Sequence, residues 1–197
     1  PSVSPGRGAR VVAETEKRDD LLFLATSRKR GTPPAHTSIY YSWQGVGIVR
    51  SGWEADANYL FFDVGPFGVV HGHEGKLAIE VVAYGRSLVE DLGVHTYGQD
   101  PRDAAWTEFF LGSSAHNTVL VDGQGQARAF TGPKTVDQQL GYPWKSSATC
   151  DYLAGDYAHG YGGRGHRSDS EPDTSVTHHR SILFVKARQE GGPEYWI

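Results

Sequence analysis

Gly45-Val46-Gly47-Ile48-Val49-Arg50 and Asn58-Tyr59-Leu60-Phe61-Phe62-Asp63 decide the fold of this chain. Both runs are short, rich in β-branched and aromatic residues, and bounded by turn-forming residues, which is the signature of strands. Reading outward, Leu77 to Tyr84 and Leu88 to Asp91 continue the pattern, and Ala83-Tyr84-Gly85-Arg86 supplies a turn between them. Together they predict an antiparallel meander. Asn117 to Asp122 alternates into Asp122-Gly123, a hairpin signal, and Thr174 to Lys186 has the length of a late strand. Asp100 to Gly112, with Trp106, Phe109 and Phe110, reads as an aromatic-anchored loop, and the Gly, Ser, Asp and Arg rich stretch from Gly160 to Asp173 as a mobile one. Toward the N-terminus, Gly31-Thr32-Pro33-Pro34 breaks the pattern. Arg10 to Glu14 and Leu21 to Leu24 read as short strands, and residues 1–9 as a linker. The expected fold is mainly β, an antiparallel β-sandwich, formed by one domain over 10–197.

Composition agrees. The 197 residues suffice for one domain with a real core, and 25 glycines with 12% aromatic residues suit many short strands. A net charge of −4 gives no electrostatic footprint for nucleic acid or acidic membranes. Apolar runs such as Tyr59 to Phe62 are far below the ~20 residues that span a bilayer. Cys150 is alone, so no internal disulfide forms. The chain opens on Pro1 and closes on Ile197 inside an apolar Tyr-Trp-Ile run, and is expected to be a fragment whose sandwich is incomplete at its C-terminal edge.

Chemistry concentrates in Gly65-Pro66-Phe67-Gly68-Val69-Val70-His71-Gly72-His73, with Asp91-Leu92-Gly93 and Ser113-Ser114-Ala115-His116-Asn117-Thr118. If the first segment is extended, His71 and His73 point the same way. His73, Asp91 and His116 offer two imidazoles and a carboxylate, a set that suits Zn²⁺ with water or substrate completing the shell. Histidines that are exposed or packed in the core are the rival reading. The spacing of Gly65, His71 and His73 also matches the opening of a cupin signature, but Glu80 and Gly85 fall at the wrong distances for the rest of it. Tyr97 and Arg102 are sugar contacts or solvent-facing loop residues. Arg86 reads as a solvated turn residue, Trp43, Trp53 and Trp106 as core or loop anchors, and His166, His178 and His179 as solvated.

In order and flanking residues, these blocks resemble the C-terminal β-sandwich region of the heparinase II/III-like polysaccharide lyases. The resemblance runs from Gly45 to Val121 and returns at Thr177 to Lys186 and Glu194 to Ile197. It implies β-elimination on an acidic, uronic-acid-containing polysaccharide. It also implies a zinc held by His73, Asp91 and His116, a catalytic or charge-neutralising role for His71, and a periplasmic or secreted location. An upstream helical toroid would carry the catalytic Tyr, so the fragment alone would not cleave polymer. Gly75 and Leu92 depart from the family pattern, which often has Asp and Pro at those places. A noncatalytic carbohydrate-binding or structural sandwich is the alternative from another class.

Overall fold

The computed structural model describes residues 7–69, 72–98, 100–127, 134–163, 171–187 and 192–197. These fall into two compact units. One comprises the residues up to Thr37 with Gly52–Glu54, the other Ser38–Ser51 and Ala55–Ile197.

The first unit is helical, where short strands were expected. Helix α1 spans Arg7–Thr15 and α2 spans Asp19–Ala25, so Arg7, Gly8 and Ala9, read as linker, are helical too. A four- or five-residue apolar run cannot distinguish strand from buried helix by periodicity. Here other features favour helix: Asp19 and Asp20 occupy the first turn of α2, where the helix dipole favours anions. Thr26 Oγ1 donates to Leu22 O at 2.7 Å to finish α2, Phe23 meets Trp53 edge-on at 6.4 Å, and Arg30 pairs with Glu14 at 2.8 Å.

The second unit is an antiparallel β-sandwich. Its first sheet is a meander of β1 (Ile39–Tyr41), β2 (Val46–Arg50), β3 (Tyr59–Asp63), β4 (Ile79–Ala83) and β5 (Arg86–Val89). Its second contains β6 (Trp144–Ser146), β7 (Cys150–Tyr157), β8 (His178–Val185) and β9 (Tyr195–Trp196) in that order. Val49, Leu60, Phe62 and Val81 from one sheet share a core with Leu153, Tyr157, Ile182 and Phe184 from the other. The sheets approach so closely that a Cβ on Gly47 would lie 2.0 Å from Leu153 Cδ2, which explains a glycine within a strand. Trp196 of β9 stacks on Phe184 at 5.1 Å, placing the terminal Tyr-Trp-Ile run at the sheet edge against β8.

Two further expectations are corrected. The segment read as a loop forms a 3-10 turn, Pro101–Asp103, and then helix α3, Ala104–Leu111. Asp100 accepts the Arg102 amide at 2.9 Å and Pro101 opens the turn, an N-terminal signature that the aromatic spacing obscured. Asn117 to Asp122 is not a strand. Only the turn forms, with positive φ at Asp122 and Gly123 and an isolated bridge from Val121 to Gln124. Trp43 and Trp106 are more than half exposed rather than core residues. His166 lies outside the described residues, as do residues 164–170 of the stretch read as mobile. No described helix is long and apolar enough to cross a membrane.

Candidate active-site cleft

Alternation along β3 creates the floor of a cleft. Leu60 and Phe62 point into the core, so Phe61 and Asp63 face the other way, beside Glu80, the cross-strand partner of Phe61. The cleft encloses about 430 Å³ and its lining includes His73, Lys76, Asp91, Tyr97 and His116. His73 and Lys76 arrive on the irregular chain between β3 and β4, Asp91 lies just past β5, and His116 follows α3.

The fold thus brings His73, Asp91 and His116 together from three distant segments. His73 Nδ1 stands 3.2 Å from His116 Nε2. The opposite nitrogen of that ring, His116 Nδ1, meets Asp91 Oδ2 at 2.6 Å. Asp91 therefore engages the far side of His116, not the gap between the imidazoles, and the three groups form a line. Among the described residues, no group of three or more His, Cys, Asp or Glu is arranged to close round a metal ion. Only 3% of the His116 side chain is exposed, so water competes little for its hydrogen bonds. Burial pushes the Asp91 carboxyl upward, but the bonds from His116 and from the Gly93 amide outweigh it and leave the group below its ordinary value.

His71 lies outside the described residues. The described neighbours, Val64 to Val69 and Gly72 to Gly75, form no strand. Gly75 has a visible reason to be small: a Cβ there would lie 3.3 Å from His116 Cγ, so its bare Cα is where the imidazole packs.

Side chains beside the site hold its backbone. Asn117 Nδ2 donates to Glu90 O at 3.0 Å, Thr118 Oγ1 donates to Lys76 O at 2.7 Å, and Arg180 of β8 donates to Asn117 O at 2.8 Å and to Leu77 O. Arg102 is exposed and paired with Asp100. His179 is exposed and paired with Asp156, whereas His178 Nδ1 is buried and has no hydrogen-bond partner among the described residues.

Sequence reasoning missed Lys76 and Asp63, which carry no motif and were placed by tertiary structure alone. Burial raises the Asp63 carboxyl despite the Gly65 amide and the Lys76 ammonium. Burial also draws Lys76 down to about 8, against the pull of Asp63. The ammonium donates to Gly65 O and to Val64 O. Between about pH 8 and 10 an unfolded chain would retain the lysine proton that the folded chain has released, so this group makes stability rise with pH across that window. The melting-temperature gap between the parent and a Lys76→Met variant should therefore shift in the parent's favour from pH 8 to pH 10. A constant gap would show that the ammonium is not desolvated.

The family model for the heparinase II/III-like C-terminal domain matches residues 39–191, and the chain belongs to this family. A search of curated protein sequences finds no match. Among solved structures, the chain is similar to heparan sulfate lyase HepC from Pedobacter heparinus, with 23% identity and a TM-score of 0.70 over 90% of this chain and 25% of that one. A mutant of the same lyase gives 21% and 0.73 over 91% and 25%, and a heparinase III gives 13% and 0.63 over 93% and 27%. The chain therefore spans about a quarter of the length of these proteins, and the likeness is one of fold.

Proposed function

We propose that this domain forms one wall of the cleft of a polysaccharide lyase that cleaves an acidic, uronic-acid-containing polymer by β-elimination. The observation that carries this reading is the convergence of His73, Asp91 and His116 in one cleft of a chain that belongs to the heparinase II/III-like family. In the reaction a base takes the C5 proton, the C5–H electrons form the C4–C5 double bond, and the C4–O bond breaks as its oxygen gains a proton. The C5 proton is weakly acidic and lies beside a carboxylate, so the cleft must also neutralise that carboxylate. In this reading His71 touches the substrate as proton carrier or carboxylate partner, and an upstream helical domain supplies the remaining acid–base group.

The lining favours a bound cation. Asp63, Glu80 and Asp91 against the single ammonium of Lys76 would repel a polyanion when the imidazoles are neutral. His73 Nδ1 and His116 Nε2 face each other at 3.2 Å, and neutral imidazole nitrogens are the donors that would hold a zinc ion. We therefore assign His73 and His116 as the zinc-holding pair, with Asp91, expected from sequence to be a ligand, as the carboxylate that orients His116 as it is placed here. Bound there, zinc would supply the positive charge that an acidic sugar requires. The reading places the protein in the periplasm or outside the cell.

The test is ultraviolet absorbance of unsaturated product from the full-length protein on alginate, heparan sulfate, chondroitin and hyaluronan, with elemental analysis alongside. Product from at least one polymer and about one zinc per chain are expected. Silence from well-folded protein across a wider panel would favour a noncatalytic carbohydrate-binding sandwich.

A further inference from the structure

We infer that Gln126 is a positioning residue, holding the two histidine-bearing segments of the cleft in register. The inference rests on the site reading above but concerns a residue outside the cleft lining. Gln126 is 2% exposed, and its carboxamide is spent on two segments. Oε1 accepts the Lys76 amide at 2.9 Å, while Nε2 donates to Lys76 O at 2.8 Å and to Thr118 Oγ1 at 3.2 Å. The side chain thus grips both polar groups of one peptide residue, as a neighbouring strand would.

Lys76 lies three residues after His73, and Thr118 two residues after His116. On the other side of His116, Ser113 Oγ accepts the Gln126 amide at 2.9 Å and donates to Glu74 O at 2.8 Å. One buried side chain and its own amide therefore join residues 74–76, which directly follow His73, to residues 113–118, which bracket His116. The clamp is anchored from behind, because the Ala127 amide donates to Gly160 O and to Tyr157 Oη, each at 2.9 Å, and Tyr157 belongs to β7. Through the neighbouring Ala127 amide, Gln126 thus links the second sheet to the segments that carry the facing imidazoles, alongside the bonds from Arg180.

Polar partners this deeply buried make loss of the clamp felt where it is anchored. Gln126→Met keeps the length and the backbone amide but removes the three side-chain hydrogen bonds. Gln126→Glu keeps the shape but turns the donor nitrogen into an acceptor facing Lys76 O. In the full-length protein both should lower kcat by about 10- to 100-fold, the usual scale for residues that orient such ligands, with KM nearly unchanged. In metal-free protein carrying ¹⁵N-labelled histidine, the His116 Nδ1 proton bonded to Asp91 should shift or exchange away in both variants. Thr118→Val removes one arm of the clamp and gives a milder change of the same kind if the Gln126 variants do not fold. A lowered melting temperature with histidine resonances and kcat like the parent's would reduce Gln126 to a structural residue and overturn the inference. If the parent cleaves no polymer, the lyase reading fails while the histidine resonances still decide for or against the clamp.

Discussion

His71→Ala in the full-length protein should lower turnover by about 100-fold or more, the scale for losing a positioned acid–base group, while metal content and melting temperature stay at the parent's values. His73→Ala should differ in kind. His73 faces His116 at 3.2 Å, so its loss removes half of the proposed zinc pair and should abolish stoichiometric metal, lower the melting temperature and suppress turnover. Between them the two substitutions test the two proposed roles, substrate contact for His71 and zinc binding for His73. Near-normal turnover of His71→Ala on the true polymer would reject the role given to it, and a His73→Ala protein that keeps its zinc would move the metal elsewhere.

Asp151→Ala should destabilise the sandwich by about 3–5 kcal/mol, the scale for breaking a buried ion pair from one side. Asp151 is fully buried on β7, where it accepts from Ser38 Oγ at 2.5 Å and Ser146 Oγ at 2.6 Å and pairs with Lys186 at 2.8 Å. Removing the carboxylate strands a largely buried ammonium that retains Ser147 O as an acceptor at 3.0 Å. Since the cost comes from the orphaned charge, Asp151→Ala with Lys186→Met should recover part of the stability, whereas Lys186→Met alone should still be destabilising. Urea unfolding of the three variants is the measurement. A loss below about 1 kcal/mol for Asp151→Ala, the range of exposed pairs, would show that water reaches this site.

The sequence by itself determined the β class and the meander from Val46 to Val89. Strand period, β-branched composition and turn residues are local properties, and here they agree with the tertiary packing. It also singled out His73, Asp91 and His116, because ligand-type side chains beside turn residues are visible in one dimension. Local signals misled where short apolar runs fit two structures: Arg10 to Glu14 and Leu21 to Leu24 are helical, and the Asp100-Pro101 start of the segment that ends in α3 was masked by its aromatics.

Only the tertiary structure decided that Asp91 engages the far nitrogen of His116, that Gly75 is the surface on which that ring packs, and that Lys76, Asp63 and Gln126 belong to the site's surroundings. Each depends on contacts between residues far apart in the chain, such as the 50 positions between Lys76 and Gln126. Burial then sets their chemistry, drawing Lys76 down and pushing Asp63 up, and burial is a property of the packed sandwich rather than of any residue in it.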